Sequence, residues 1–489
     1  MGALVAAVNK KGENVVSVVV TMLGELAHRG KGGCGIATSD SVVTAATLEE
    51  LKQRNLSSSV ALGHNFSFIL PRDKPQPLEG NGFTVVFEGR LFPSPKLPGS
   101  SEVQEIVGKL GSNPIKNAYK ILKKMDGSYV FSVAESDRII VGRDIFGTNP
   151  LYYGENETIC AVASERKALW KIGLHNIHSF PPGQMALADT RGFSFHTVAK
   201  LRIPPKKIMD METAARALEI LLFESTRKQV SDLSKVAVSF SGGIDSSVVA
   251  TLADNIGLEV QLISVGLKGE QEVTFTEQAA EALDLPIHIQ TYNLRELEET
   301  FTKVLWLVEE PNPVNACIAV PFFWIAETAS KLGYPVLLAG QGADELFGGY
   351  KRYLIEYESS GVEAVEQKMF YDVKNAYNAN FQRDNQVCSY HGVELRLPFI
   401  NRDVIDFGLR LPLRLKINSV EDKLRKQVLR RVAHNMEIPS FMANKRKKAI
   451  QYTTGVTKTL KRIAKNKNLT LREYAKQTYT RVCHPKNGN

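Results

Sequence analysis

The chain has 489 residues, more than one ordinary core accommodates, which predicts two or three domains. Its composition, 43% hydrophobic and 23% charged, is that of a soluble globular protein, and the lack of any apolar run of membrane-span length excludes a membrane protein. The net charge of +9 is concentrated: residues 444–489 carry thirteen Lys/Arg and a single acid, Glu473, so the remainder is slightly acidic. This stretch reads as a solvated basic helix or tail. No aromatic-interleaved pattern accompanies it, and nucleic acid is not expected as a partner. Five widely spaced cysteines without a C-x-x-C argue against a disulfide framework or a zinc cluster and fit a reducing compartment, so a cytoplasmic protein is expected.

In chain order, the first two hundred residues read as short strands with turns. The β-branched run Val15 to Val20 is taken as strand, as are Phe83 to Phe87, Tyr129 to Val133 and Arg138 to Gly142. Helices are expected about Val103 to Leu110 and Ile115 to Met125. Prolines punctuate the segment from Pro71 to Pro98. Residues 204–212, opening Pro204-Pro205-Lys206-Lys207, read as a linker between a domain 1–203 and a domain 213–455. A basic segment, 456–489, follows.

After the linker the texture changes. Glu212 to Gln229 is an amphipathic helix and Val236 to Phe240 a buried strand. A helix over Ser247 to Ile256, a strand over Val260 to Val265, a helix over Thr276 to Leu283 and a strand over Ile287 to Thr291 follow. A further helix ends near Leu332, before a strand at Val336 to Ala339. Alternating strands and helices imply parallel βαβ units.

Two loops carry the chemistry. Ser241-Gly242-Gly243-Ile244-Asp245-Ser246-Ser247 leaves an apolar strand and opens a helix. Its glycines admit an anion close to the backbone, and the helix start offers free N–H groups. Ser241, Ser246 and Ser247 add hydroxyl donors. Asp245 would repel a bare phosphate, so its place there makes sense with Mg²⁺ between them. No Walker A pattern exists in the chain. The second loop, Gly340-Gln341-Gly342-Ala343-Asp344-Glu345, also follows a strand. Ligands of open parallel sheets lie outside the strands' carboxyl ends, which would let Asp245 and Asp344 share one metal ion.

The first loop resembles the PP-loop, S-G-G-x-D-S, of enzymes that split ATP between the α and β phosphates. Together with the second loop and Glu394-Leu395-Arg396-Leu397-Pro398-Phe399, it is similar to the synthetase domain of the asparagine synthetase family. The resemblance implies an α/β fold: an αββα domain like a degenerate N-terminal-nucleophile (Ntn) hydrolase, followed by a doubly wound parallel PP-loop domain. It implies ATP and Mg²⁺, an aspartyl-adenylate with release of pyrophosphate, and attack by ammonia. It also implies that Ser264 to Leu267, with Val265 and Gly266, holds adenine, that Gly340 and Gly342 line the nucleotide, and that a lysine, Lys447 or Lys448, neutralises the phosphates. One departure stands out. The family's glutamate in the second loop is Gln341 here, which cannot take a proton near neutral pH. Gln341 remains a candidate catalytic residue that could orient ammonia or hold the substrate by hydrogen bonds, while deprotonation falls to another group or the substrate differs.

The N-terminal region is similar to the family's Ntn glutaminase through His28-Arg29-Gly30, Gly63-His64, Gln76-Pro77-Leu78, Arg143-Asp144, Phe146-Gly147, Pro150 to Gly154 and Ser164-Glu165. Its chemistry is missing. Position 2, where active relatives have cysteine, is Gly2, and Cys34 is internal with no terminal amine. The family's Asn-Gly-Glu is Glu88-Gly89-Arg90. The reading is an AMP-forming amide synthetase without its own glutaminase, taking aspartate and either free ammonia or ammonia delivered by a separate amidotransferase subunit. Alternatives are a related amide or lactam-type ligase on another carboxylate, and a non-catalytic nucleotide-binding regulator. The N-terminal domain is left with packing, capping or dimerisation, the last giving a homodimer.

Overall fold

The computed structural model describes residues 2–95, 99–269 and 272–483. Met1, Pro98 and the last six residues of the basic segment lie outside these. The chain divides into two compact units, Met1–Leu201 and Arg202–Asn489. Among the described residues, no helix is long and apolar enough to cross a membrane.

The first unit has four layers. A seven-stranded sheet runs in the order Ile177–Ser179, Tyr152–Glu155, Ile159–Ala163, Ala3–Asn9, Val60–Asn65, Cys34–Ala37, Val42–Ala45. A six-stranded sheet runs Gly192–Thr197, Gln184–Asp189, Ile139–Arg143, Gly127–Ala134, Thr84–Leu91, Leu78–Glu79. The strand period of two sorts the side chains between faces. Leu4, Ala6 and Val8 meet Val86, Val130 and Val141 of the other sheet. Ala3, Val5 and Ala7 face the helix Val16–Glu25 instead. On the far side, Val85, Phe87, Tyr129 and Phe131 pack beneath the helices Glu102–Leu110 and Pro114–Lys124. The order helix, sheet, sheet, helix is the expected αββα architecture.

Val15 to Val20, read as strand, is instead the start of the Val16–Glu25 helix. Its buried residues, Val16, Val19, Val20 and Leu23, recur at helical spacing. The β-branched run therefore reflects burial of a helix face against the sheet, which overrides local propensity.

The second unit holds a five-stranded parallel sheet, ordered Ile287–Tyr292, Glu259–Leu267, Lys235–Ser239, Val336–Leu338, Glu394–Arg396. Val236, Ala237 and Val238 of the central strand are fully buried, as a strand covered on both faces requires. Helix Ile244–Asn255 begins three residues before the predicted Ser247, because Gly243 adopts extended backbone angles and caps it. Asp245, Ser246 and Ser247 therefore stand in its first turn.

The E-x-R-x-P-F motif ties the sheet edge to helix Met211–Val230. Arg396 reaches Glu394 at 2.6 Å and Asp232 at 2.7 Å, and it also donates to the Gln229 carbonyl. All three charged side chains are buried. Ser225 of the same helix donates to the Pro398 carbonyl at 2.7 Å. The basic segment is folded through Cys483. Its helices Val456–Asn466 and Leu471–Cys483 pack on Leu294–Val308 and Pro313–Lys331, with Tyr474 stacked on Phe301.

Removing one partner of a buried charge cluster leaves the others uncompensated. Arg396→Ala is expected to lower stability by about 3–5 kcal/mol, read as a shift of the second unit's urea midpoint. Arg410→Ala, which breaks the exposed pair with Asp406, should leave that midpoint in place.

Candidate active site

Both acidic loops emerge at the carboxyl ends of adjacent strands, Lys235–Ser239 and Val336–Leu338. Gly242 takes a left-handed φ of 62°, and its missing Cβ makes room for the Phe275 ring. Gly340 lets the second loop close on the first: a Cβ there would lie 2.8 Å from that of Asp245. Gly342 has φ 94° and sits on Ile400 and Phe399, which continue from the E-x-R-x-P-F strand. That motif thus supports the second loop from below.

The two aspartates converge. The Lys426 ammonium lies 2.6 Å from both carboxylate oxygens of Asp245 and 2.5 Å from Oδ1 of Asp344. Lys447 pairs with Asp344 at 2.7 Å and approaches Asp245 at 3.7 Å. Burial alone would raise the Asp344 carboxyl. The Lys426 and Lys447 charges outweigh it and hold the group well below the usual carboxylate range. For Lys447, desolvation would lower the ammonium, but Asp344 and Asp245 lift it above the ordinary lysine value.

Of the two lysines left open by the sequence, Lys447 contacts the aspartates. Lys448 lines the same pocket, together with Ser241, Gly243, Asp245, Lys426, Arg430 and Lys445. Lys445 donates to the Ser241 carbonyl at 3.2 Å and lies over the Phe275 ring. Ser246 and Ser247 both donate to the Gly243 carbonyl at 3.0 Å, and Ser247 is fully buried. These two hydroxyls brace the loop rather than stand open toward a ligand. Val265 and Gly266 lie at the end of the neighbouring strand, next to a backbone bond from Leu267 to the Thr454 carbonyl. Gln341 donates to Asp384 at 2.5 Å.

Lys426 and Asp384 carry no signal in the sequence. Lys426 arrives 181 residues after Asp245 in the chain. It follows Arg425, and both adopt left-handed φ, 55° and 54°, a conformation that costs energy without glycine and clusters at functional sites. Arg430 holds this strained turn by donating to the carbonyls of Arg425, Leu424 and Ala443.

Two carboxylates already sharing one cation make a donor set that fits a hard divalent ion. Among the described residues no third His, Cys, Asp or Glu joins them. Such an ion would therefore complete its shell with phosphate oxygens and water.

In the first unit, a Cβ on Gly2 would fall on the Asn65 carbonyl oxygen, 3.0 Å from His64 and 3.1 Å from the Glu88 carboxylate. His64 and Glu88 pair at 2.9 Å in the buried interior. Burial would raise the Glu88 carboxyl, but His64 holds it below its ordinary value. Arg29 clamps the Gly2 carbonyl at 2.8 Å and pairs with Glu165, which also meets His28 and Lys167. Arg90 is committed to Asp73 and Glu102. Cys34 is buried in a strand, with its thiol pushed up by desolvation.

The asparagine synthase family model matches residues 217–364 and 355–486, more than half of the chain. The chain belongs to the asparagine synthase family. Membership carries the enzyme class expected from the sequence, an AMP-forming carbon–nitrogen ligase, and the use of ATP. A glutamine amidotransferase domain model matches residues 64–171. The chain is 29% identical, over 91% of its length and 92% of the other, to a Methanocaldococcus jannaschii protein provisionally designated asparagine synthetase [glutamine-hydrolyzing] 1. It is 26% identical to asparagine synthetase [glutamine-hydrolyzing] 1 of Arabidopsis thaliana, over 64% of this chain and 55% of that one. With asparagine synthetase B [glutamine-hydrolyzing] of Escherichia coli the figures are 23%, 71% and 64%. The chain thus spans less than two thirds of these plant and bacterial relatives.

Asp344→Asn removes a carboxylate whose folded state is depressed in pKa. Its stability contribution is complete above the unfolded value near pH 4 and fades as pH falls below that. The variant should melt below wild type at pH 7, with the gap narrowing on acidification below about pH 4. Gly340→Ala should lower ATP affinity by driving its methyl group into Asp245, measured by calorimetry.

Proposed function

We propose that this enzyme adenylates the side-chain carboxylate of aspartate and aminates it with ammonia, giving asparagine, AMP and pyrophosphate, without a glutaminase of its own. The observation that carries the reading is the meeting of Asp245 and Asp344, from two adjacent strand ends, beneath Lys426 and Lys447. Asp245 and Asp344 would hold Mg²⁺, which when bound neutralises phosphate charge and polarises the α-phosphate. Gly242, Gly243 and the first turn of helix Ile244–Asn255 would receive pyrophosphate oxygens. Lys447 is suited to stabilise charge as pyrophosphate separates, with Lys426, Lys445 and Lys448 around it. Val265 and Gly266 remain the proposed adenine edge.

Ammonia as the nitrogen donor, free or delivered by a separate amidotransferase subunit, is supported by the first unit's interior. A nucleophilic side chain at position 2 has no room, and Glu88, held by His64, sets a negative charge where an oxyanion would need donors. One observation favours a second reading. Gln341 is neutral where the family has a glutamate, which fits a different acid or amine and keeps a related amide or lactam-type ligase in view.

Pyrophosphate release and product mass, followed over a panel of acids with ammonium, test both. Asparagine formed from aspartate supports the first reading, release with another acid the second, and release of orthophosphate and ADP overturns both. Asp245→Asn should reduce turnover at least about a thousandfold, on the scale of losing one electrostatic element of an active site. Glutamine should not replace ammonium. Gly2→Cys should not change that, because the Asn65 carbonyl occupies the position.

A further inference from the structure

Gln341 has a single recorded side-chain hydrogen-bond partner among the described residues, the Oδ2 of Asp384 at 2.5 Å. Asp384 is fully buried in helix Gln382–Tyr390, whereas Gln341 is only partly so. The neighbouring Arg383 grips the same carboxylate with two bonds, Nε to Oδ1 at 2.7 Å and Nη2 to Oδ2 at 3.1 Å. A carboxylate accepts and cannot donate at neutral pH, so the amide end facing it must be the NH₂ group. The orientation of Gln341 is thereby fixed, with its carbonyl oxygen as the open end. Glu345, the other carboxylate of this loop, is taken by Tyr350 at 2.6 Å and Asn380 at 2.7 Å.

We propose that Asp384 is a positioning residue for the amine. It supplies, from a neighbouring helix, the carboxylate that the Gly340–Glu345 loop lacks at Gln341, held in place by Arg383. The proposal rests on the amide-synthetase reading. The buried carboxylate locks the amide and, through a charge-assisted hydrogen bond, polarises it, so that the Gln341 oxygen is a stronger acceptor for an N–H of ammonia or a small primary amine. Gln341 accepts a hydrogen bond and no proton. The amine reacts in its neutral form: its nitrogen attacks the acyl-adenylate carbon, the acyl carbon–oxygen bond to AMP breaks, AMP leaves, and the surplus N–H proton passes to the AMP phosphate or to water. The rate of amide formation should follow the neutral fraction as pH rises.

The test separates adenylation from amination. Exchange of labelled pyrophosphate into ATP with aspartate reads the first, and asparagine formed against ammonium concentration reads the second. In Asp384→Asn the amide is free to turn. The ammonium KM should rise by about tenfold, the scale of a charge-assisted hydrogen bond, with exchange within about twofold. Gln341→Glu sets two carboxylates side by side and should also impair ammonium use. The double variant Gln341→Glu/Asp384→Asn moves the carboxylate to the other end of the hydrogen bond. It should recover amination to within about threefold of wild type, with the pH profile displaced to lower pH because a carboxylate can now take the proton. An unchanged ammonium KM in Asp384→Asn, or additive losses without recovery in the double variant, overturns the inference while leaving adenylation intact. Should Asp384→Asn fail to fold, Gln341→Glu decides alone, and an unaltered ammonium KM at pH 8 overturns it. Absence of exchange in the wild-type chain removes the amide-synthetase reading and this inference with it.

Discussion

Two carboxylates that approach a common point repel one another, and burial multiplies the cost unless a cation lies between them. Asp245 and Asp344 meet in this way at the crest of the parallel sheet, and the molecule is arranged around holding them there. The backbones come close because Gly340 has no side chain to obstruct Asp245. The charges coexist because Lys426 and Lys447 arrive from the far end of the chain. The same two lysines thus balance both carboxylates.

The supports of that site are structural before they are chemical. Glu394, Arg396 and Asp232 form a buried clamp that fixes the sheet edge to a helix, and the residues that follow, Phe399 and Ile400, lie beneath Gly342. The left-handed pair Arg425 and Lys426 is a strained turn that Arg430 stabilises through three backbone carbonyls. Strain of this kind persists where the surroundings over-determine it, and here it aims an ammonium at two carboxylates.

What could be read from the sequence follows from the range of each interaction. The loop at Ser241 to Ser247 is legible because a strand, two glycines and a helix start are all local, and each has one physical use. The αββα layers follow from alternation within short strands once the resemblance is seen. The Val16–Glu25 helix was misread because valine favours strands in isolation, while its partner, the sheet face, is remote in sequence. Lys426 was invisible for the same reason: a lysine before a helix is ordinary until the fold places it opposite an aspartate. The choice between Lys447 and Lys448 depends on the register of an irregular segment, which only packing sets. Ser247 follows the loop pattern, yet the early start of its helix turns its hydroxyl onto Gly243.

The first unit is held together by groups other than Gly2, His64 and Glu88. Its layers are held by Arg143, whose guanidinium donates to the carbonyls of Phe180, Gly147 and Asn149, and by Asp144, which accepts from the N–H groups of Phe146 and Gly147. Burial lifts the Asp144 carboxyl to about 6, against the pull of Arg143. None of these groups takes part in attacking an amide. His64 and Glu88 pair with each other close beside Gly2. In the second unit the acids that would bind metal are themselves partners in the buried charge balance. A substitution at Asp245 or Asp344 would therefore disturb that charge balance, just as a side chain at Gly2 would meet the Asn65 carbonyl.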